Sequence, residues 1–282
     1  MISIAKRLDG VEDLPSLPHT FQKVLEQLDN VAADAMSLEK VIEEDPVLAA
    51  KILKVANSPL FGVAGQVTKV SHAIVVLGFE EVKNLVIGLA LTQSFPTDIS
   101  STGISAKDLW MHSIAVGKAA KAIAEEMGGM DPEEIFIAGL MHDLGRFLIC
   151  LYFDDHIPEI RQIEEEKQVP MFKAEEIYGL SHAEAGAYLA KKWELSNWLV
   201  NVIRYHHQPT SAGNESQAAS VIFLADQLCQ KLAIGWQNKY LPEKVMVPKS
   251  LNVDAGLVKK VAKDMAAEKK QLEASWSAAL GT

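Results

Sequence analysis

The sequence predicts an all-α protein built from two helical parts, an N-terminal one packed on a second, longer one. Three observations carry this. Apolar residues recur at i, i+3, i+4 and i+7 through most of the 282 residues. The strict alternation of half-buried strands is nearly absent. Asp-Pro and Ser start signals and Gly or Pro stops divide the periodic stretches into helix-sized pieces.

The elements follow in order. Phe21, Val24, Leu25 and Leu28 form one stripe, so the first helix is expected from Pro18 to about Leu28. A second follows Ser37 and covers Leu38 to Glu43. Asp45-Pro46 supplies a cap and a proline at the first helical position, opening a helix through Val47, Leu48, Ile52, Leu53 and Ala56 that Asn57-Ser58-Pro59 closes. Gly62 to Gly65 reads as a loop. Ser71 to about Leu77 is helical, Gly78 interrupts, and Phe79 to Leu91 is a strongly apolar helix. The segment from Ser94 to Ser105, rich in Ser, Thr, Gly and Pro, reads as a linker, which puts the parts at 1–103 and 104–282. Helices are then expected at about 106–127, 132–144, 155–167, 173–178, 182–193, 196–206, 215–234 and 254–277. Asp131-Pro132-Glu133-Glu134 is a start signal, and Gly145 is expected to stop the helix that ends in His142-Asp143.

Bulk properties narrow the function. Hydrophobic residues make up 49% of the chain and the formal net charge is −10. A negative chain opposes general binding to nucleic acid or to an anionic membrane, which both need a basic face. An anionic ligand then needs a local positive site such as a metal centre. Cys150 and Cys229 lie in apolar runs and read as buried free thiols, which fits a reducing cytoplasm. The first residues lack the apolar core of a signal peptide. The longest apolar stretch, about Leu85 to Leu91, falls far short of the roughly 20 residues of a membrane span. A cytoplasmic protein with neither nucleic-acid nor membrane binding is the expectation.

Metal-binding side chains gather in the second part. His112 shares a stripe with Ala115, Val116, Ala119 and Ile123 and should face the interior. Alone it reads as a core histidine. Asp108, one turn earlier, reads either as its hydrogen-bond partner or as a helix-start carboxylate. His142-Asp143 ends its helix in an apolar setting, where a buried carboxylate needs a compensating charge; a surface cap pair is the alternative. His182 starts a helix bearing Ala183, Gly186, Ala187 and Ala190, small residues that permit close approach. His206-His207 ends another just before Pro209, where the helix dipole alone would favour it. Asp226 projects at the edge of an apolar face, beside Ile222 and Cys229. His19, His72 and His156 read as surface or loop residues.

The order His112, His142-Asp143, His182, His206-His207, Asp226 resembles that of HD-superfamily metal phosphohydrolases, including the HD-GYP branch that hydrolyses cyclic dinucleotides. The chain as a whole, over about residues 10 to 240, is more similar to the HDOD family. Leu14-Pro15-Ser16-Leu17-Pro18, Ile42-Glu43-Glu44-Asp45-Pro46-Val47-Leu48, Lys51-Ile52-Leu53-Lys54-Val55-Ala56-Asn57-Ser58, Ser71-His72-Ala73-Ile74 and Leu77-Gly78 carry that likeness. The resemblance implies an HD-like helical domain in which His112, His142, Asp143 and Asp226 hold a first ion. His182 and His206 would hold a second, with Asp143 bridging and His207 a ligand or a neighbour. Asp143 and Arg146 would be the catalytic groups, Arg146 standing where HD-GYP proteins carry the phosphate-holding Lys. Gln208-Pro209 follow the His pair in place of a Gly-Tyr-Pro motif.

Imidazoles and carboxylates without thiolate favour one or two divalent transition ions, iron, manganese, nickel or zinc. Because HDOD proteins are mostly regulatory, a signalling protein with a retained metal site and a protein partner is the leading expectation. The rival is a metal-dependent phosphodiesterase acting on a nucleotide, a cyclic dinucleotide or another phosphorylated small molecule. A third reading is a metal-free interaction module with structural histidines.

Overall fold

The computed structural model describes residues 4–28, 35–61, 63, 65–95, 99 and 102–280. Among these every regular element is helical, so the chain is all-α as its periodicity predicts. Its contacts divide it into two compact units. One comprises Met1–Leu14 and Thr97–Ala267, the other Pro15–Pro96 and Glu268–Thr282.

The smaller unit is built from α2 (His19–Leu28), α3 (Ala35–Glu43), α4 (Pro46–Ala56), α5 (Val70–Leu77), α6 (Phe79–Thr92) and the end of α15 (Ala255–Leu280). Phe21, Ile42, Leu48, Ile52, Leu85 and Leu89 are fully buried in its core. The side chains of Leu25 and Leu28, and residues 62 and 64 of the expected loop, lie outside the described residues. Asp45 caps α4: Val47 N and Leu48 N each donate to its Oδ1 at 3.0 Å. Gln93 Nε2 donates to the other oxygen at 2.8 Å. Gly78 lies between α5 and α6 at φ +88°, a conformation L side chains rarely adopt, so the two helices turn on one residue. Trp276 of α15 fills the space over Gly88, where a Cβ would come within 2.4 Å of its ring.

The larger unit holds α1 (Ile4–Leu8), most of α15, and α7 (Ala106–Met127) to α14 (Ser216–Lys231). The helix α7 packs against α8 (Pro132–Met141) and α14. Glycines set the closest crossings. A Cβ on Gly139 would lie 2.7 Å from Gly117 Cα, so α7 and α8 nearly touch through their backbones. A Cβ on Gly145 would lie 1.9 Å from His182 O. The expected helix stop at Gly145 is thereby corrected. α8 ends at Met141, residues 142 and 143 turn, and Gly145 lies inside a further helix, α9 (Leu144–Tyr152), crossing α12 (His182–Lys192). Gly145 serves close packing rather than termination. The N-terminal helix α1 is a second element that the periodicity does not reveal.

The longest apolar stretch also differs from expectation. Pro132–Tyr152 contains an 18-residue window with the composition of a membrane span, mean hydropathy 1.5, yet 89% of that window is buried within the protein and the run carries His142, Asp143 and Arg146.

Candidate metal centre

Six helices bring the predicted side chains together. His112 projects from α7 and His142-Asp143 form the turn between α8 and α9. His182 is the first residue of α12, whose N-cap Ser181 accepts a bond from Glu184 N. His206-His207 follow α13 (Asn197–Tyr205), and Asp226 lies in α14. All are buried except the half-buried His207. His19 and His72 are exposed, and His156 Nδ1 lies 2.8 Å from Tyr178 Oη, away from this cluster.

The donor atoms form three overlapping groups: His112, His142 and Asp226; His142, Asp143 and His206; and His182, His206 and His207. Within each, every donor lies within 4.8 Å of the others. Asp143 stands in the middle, with Oδ1 3.1 Å from His182 Nε2 and Oδ2 3.4 Å from His142 Nε2. Asp226 Oδ1 is 3.0 Å from His112 Nε2.

Hydrogen bonds behind the rings fix their orientation. His142 Nδ1 donates to Gly139 O and His206 Nδ1 to Ile203 O, each at 2.6 Å. His182 Nδ1 donates to Glu175 Oε2. His142 and His206 therefore turn Nε2 inward as a lone pair, the arrangement second-shell partners impose on metal-ligating histidines, while His182 Nε2 faces Asp143 Oδ1 at 3.1 Å. The consequence is a crowd of inward-facing ring nitrogens. His182 Nε2 lies 3.3 Å from His206 Nε2 and 3.1 Å from His207 Nε2, and His142 Nε2 is buried without a hydrogen-bond partner. A cation among them resolves this arrangement, so the residues present fit a metal.

Electrostatics point the same way. Burial raises the Asp143 carboxyl, but Arg146, His142 and His182 outweigh it and hold it well below the ordinary carboxylate range. Burial likewise opposes ionisation of Asp226, and His112 overcomes it. Burial, with His142 and His182 nearby, pushes His206 down to about 3. Burial and His206 push His207 well below its usual value. His182 is the exception: burial and Arg146 lower it, and Glu175 and Asp143 raise it by more. Cys229, a turn after Asp226, is pushed well above the ordinary thiol range by burial and stays a neutral thiol outside the donor set.

Three residues of the centre escape the sequence reading. Glu175, 1% exposed on α11 (Met171–Tyr178), accepts from both Nδ1 and the backbone N of His182 and from Arg146 Nη1 at 2.6 Å. Gly235, at φ +69°, leaves no room for a Cβ, which would lie 2.3 Å from His112 N. Trp236 donates its backbone N–H to Asp108 O at 2.8 Å and lays its ring on the Arg146 guanidinium, 4.3 Å away. No periodicity or motif marks any of the three.

Arg146 itself is 3% exposed. Its Nε lies 3.1 Å from Asp143 Oδ2, so the guanidinium bridges Asp143 and Glu175 beneath Trp236. Asp108 is exposed, with its backbone N–H on the Ser105 cap, and His112 Nδ1 has no hydrogen-bond partner; the helix-start reading of Asp108 fits this geometry.

Comparisons with known proteins place this architecture. An uncharacterized Treponema pallidum protein is 29% identical over 215 residues, 76% of this chain and 40% of its own length. Ribonuclease Y of Mycoplasma mycoides subsp. mycoides is 32% identical over 117 residues, 42% of this chain and 17% of its own. The chain thus spans well under half the length of these curated relatives. Among solved structures, an HDOD domain protein of unknown function from Geobacter sulfurreducens superposes with a TM-score of 0.75 at 22% identity, covering 97% of this chain and 96% of that one. A Shewanella amazonensis protein named for an inferred phosphohydrolase role gives 0.70 at 25% identity, covering 98% of each. The HDOD domain model matches residues 14–209, well over half the chain, and leaves Asp226 outside the matched span. The chain therefore belongs to the HDOD domain family.

Proposed function

We propose that the chain is a cytoplasmic HDOD-family signalling protein that acts through a protein partner and retains an HD-type metal centre of one or two ions. The inward-facing lone pairs of His142 and His206, each fixed by a bond behind the ring, and the convergence of His182 and His207 beside them carry this reading. His112, His142, Asp143 and Asp226 would hold one ion and His182, His206 and His207 a second, with Asp143 between them. Oxygen and nitrogen donors suit iron, manganese, nickel or zinc. Bound there, such ions polarise a phosphoryl oxygen and lower the pKa of water.

The protein's own groups favour regulation over turnover. Arg146, the cation that would hold a phosphate, is committed to Asp143 and Glu175 and covered by Trp236. It orders the carboxylates instead of reaching for a substrate. The second reading, a phosphohydrolase, draws on one observation: a cleft reaches both Asp226 and His207 from the surface. The likeness to ribonuclease Y and to the Shewanella protein agrees with phosphoester chemistry, while the net charge of −10 argues against an RNA substrate.

Metal analysis of protein purified without added metal tests the centre. About one to two equivalents of transition metal per chain are expected, lost in a His142→Ala/Asp143→Ala double variant; a metal-free wild type overturns the reading. Phosphodiesterase turnover with manganese or iron, abolished by Asp143→Ala, would instead favour the enzyme.

A further inference from the structure

One cleft touches a member of both outer donor groups, Asp226 of one and His207 of the other. Its walls are Pro170, Phe172, Phe223, Leu241, Val245 and Met246. Phe172 stacks on His207 with ring centroids 3.9 Å apart and 13° between planes, so the apolar wall runs up to the donor atoms.

Polar side chains also line the cleft, but the backbone engages them. Gln227 Nε2 donates to Met246 O at 3.0 Å, and its Oε1 accepts from Met246 N at 2.9 Å. Gln230 Oε1 accepts from Asn238 N at 2.9 Å, and Asn238 Oδ1 accepts from Met171 N at 3.1 Å. These amides tie the loop after α14 to the helices. They hold the wall in place and leave little to recognise ribose hydroxyls or base edges. Positive charge comes from Lys231 and Lys244 in the lining, both exposed. The cleft volume is about 60 Å³, against roughly 300–1,000 Å³ for pockets that enclose drug-sized ligands.

We propose that this cleft takes a small organic anion, a phosphate or phosphonate head on a compact apolar body, with the head at the metal centre and the body against Phe172, Phe223 and Met246. The proposal rests on the metal reading above and specifies its ligand, whether that ligand is an effector or a substrate. It disfavours nucleotides and cyclic dinucleotides, whose sugar hydroxyls and base edges would meet an apolar wall and amides already engaged by backbone.

The test is calorimetric titration of the full chain loaded with manganese. The probes are inorganic phosphate, phenylphosphonate, a nucleoside 5′-monophosphate and a cyclic dinucleotide; the P–C bond of phenylphosphonate resists hydrolysis, so binding alone is read. Phenylphosphonate should bind about tenfold tighter than phosphate, through apolar burial of its ring, and the nucleotides no tighter than phosphate. Met246→Gln and Val245→Thr, which add no charge beside the anion, should each reduce the advantage of the phenyl group while keeping metal content and phosphate affinity. Met246 is 54% exposed, so its replacement leaves the core intact. Equal affinities for phosphate and phenylphosphonate in the loaded chain, or tighter binding of either nucleotide, overturn the proposal and leave the metal centre standing. A chain that takes up none of manganese, iron, nickel or zinc overturns the metal reading, and the proposal falls with it.

Discussion

At the scale of single residues, the centre depends on what stands behind the donors. Glu175 orients His182 and restrains Arg146 with one carboxylate. Glu175→Gln keeps the size but cannot accept from both His182 and Arg146 with oxygen atoms. Metal affinity is expected to fall by about 10- to 100-fold, read by competition with a chelator; unchanged affinity would contradict the role. Acid stability follows from His206. Its folded-state pKa of about 3 lies below the ordinary imidazole value of about 6.5. Between those values the unfolded chain binds a proton that the folded chain refuses. Its contribution is therefore complete above about pH 6.5 and is lost as pH falls toward 3. Chelator-treated protein should melt at lower temperature at pH 5 than at pH 7; identical melting temperatures would refute this. The gathering of the seven side chains was legible because each stands at a helix start, end or face where its type is conspicuous. Glu175 was not, because a carboxylate on a short helix among other acidic residues looks like solvated surface until the fold turns it inward.

Among the elements, glycines rather than hydrophobic stripes decide where the donors meet. The Gly145 backbone lies against His182 O, setting the separation of α9 and α12 and with it that of Asp143 and His182. Gly145→Ala should destabilise the protein by roughly 3 kcal/mol or more, because backbone on both sides has nowhere to go. Denaturant unfolding reads this, and a loss under about 1 kcal/mol would contradict it. In the smaller unit, Asp45→Ala removes the α4 cap and the bond to Gln93. It should cost about 1–2 kcal/mol. Helix positions were mostly readable from sequence, and α7 matches the expected 106–127. The break at 142–143 was not. The run from Ile135 to Tyr152 is apolar apart from His142, Asp143 and Arg146, and Gly145 has the residue type of a stop. Only the crossing with α12 shows that it is a contact point.

For the molecule as a whole, the all-α class follows from periodicity, and the family from two sets of motifs in different parts of the chain. How the chain divides was less visible. Met1–Leu14 is grouped with Thr97–Ala267, and Glu268–Thr282 with Pro15–Pro96, because packing rather than sequence proximity defines a unit. Since the donors come from α7, α12, α14 and the turns after α8 and α13, a bound ion would cross-link most of the larger unit. The most direct measurement of the central claim is anomalous diffraction at the absorption edges of iron, manganese, nickel and zinc from crystals grown without added metal. One or two peaks about 2.0–2.2 Å from the imidazole Nε2 and carboxylate oxygens are predicted. Clear density for the seven side chains with no anomalous peak among them, and water or direct histidine–histidine hydrogen bonds in its place, would contradict it.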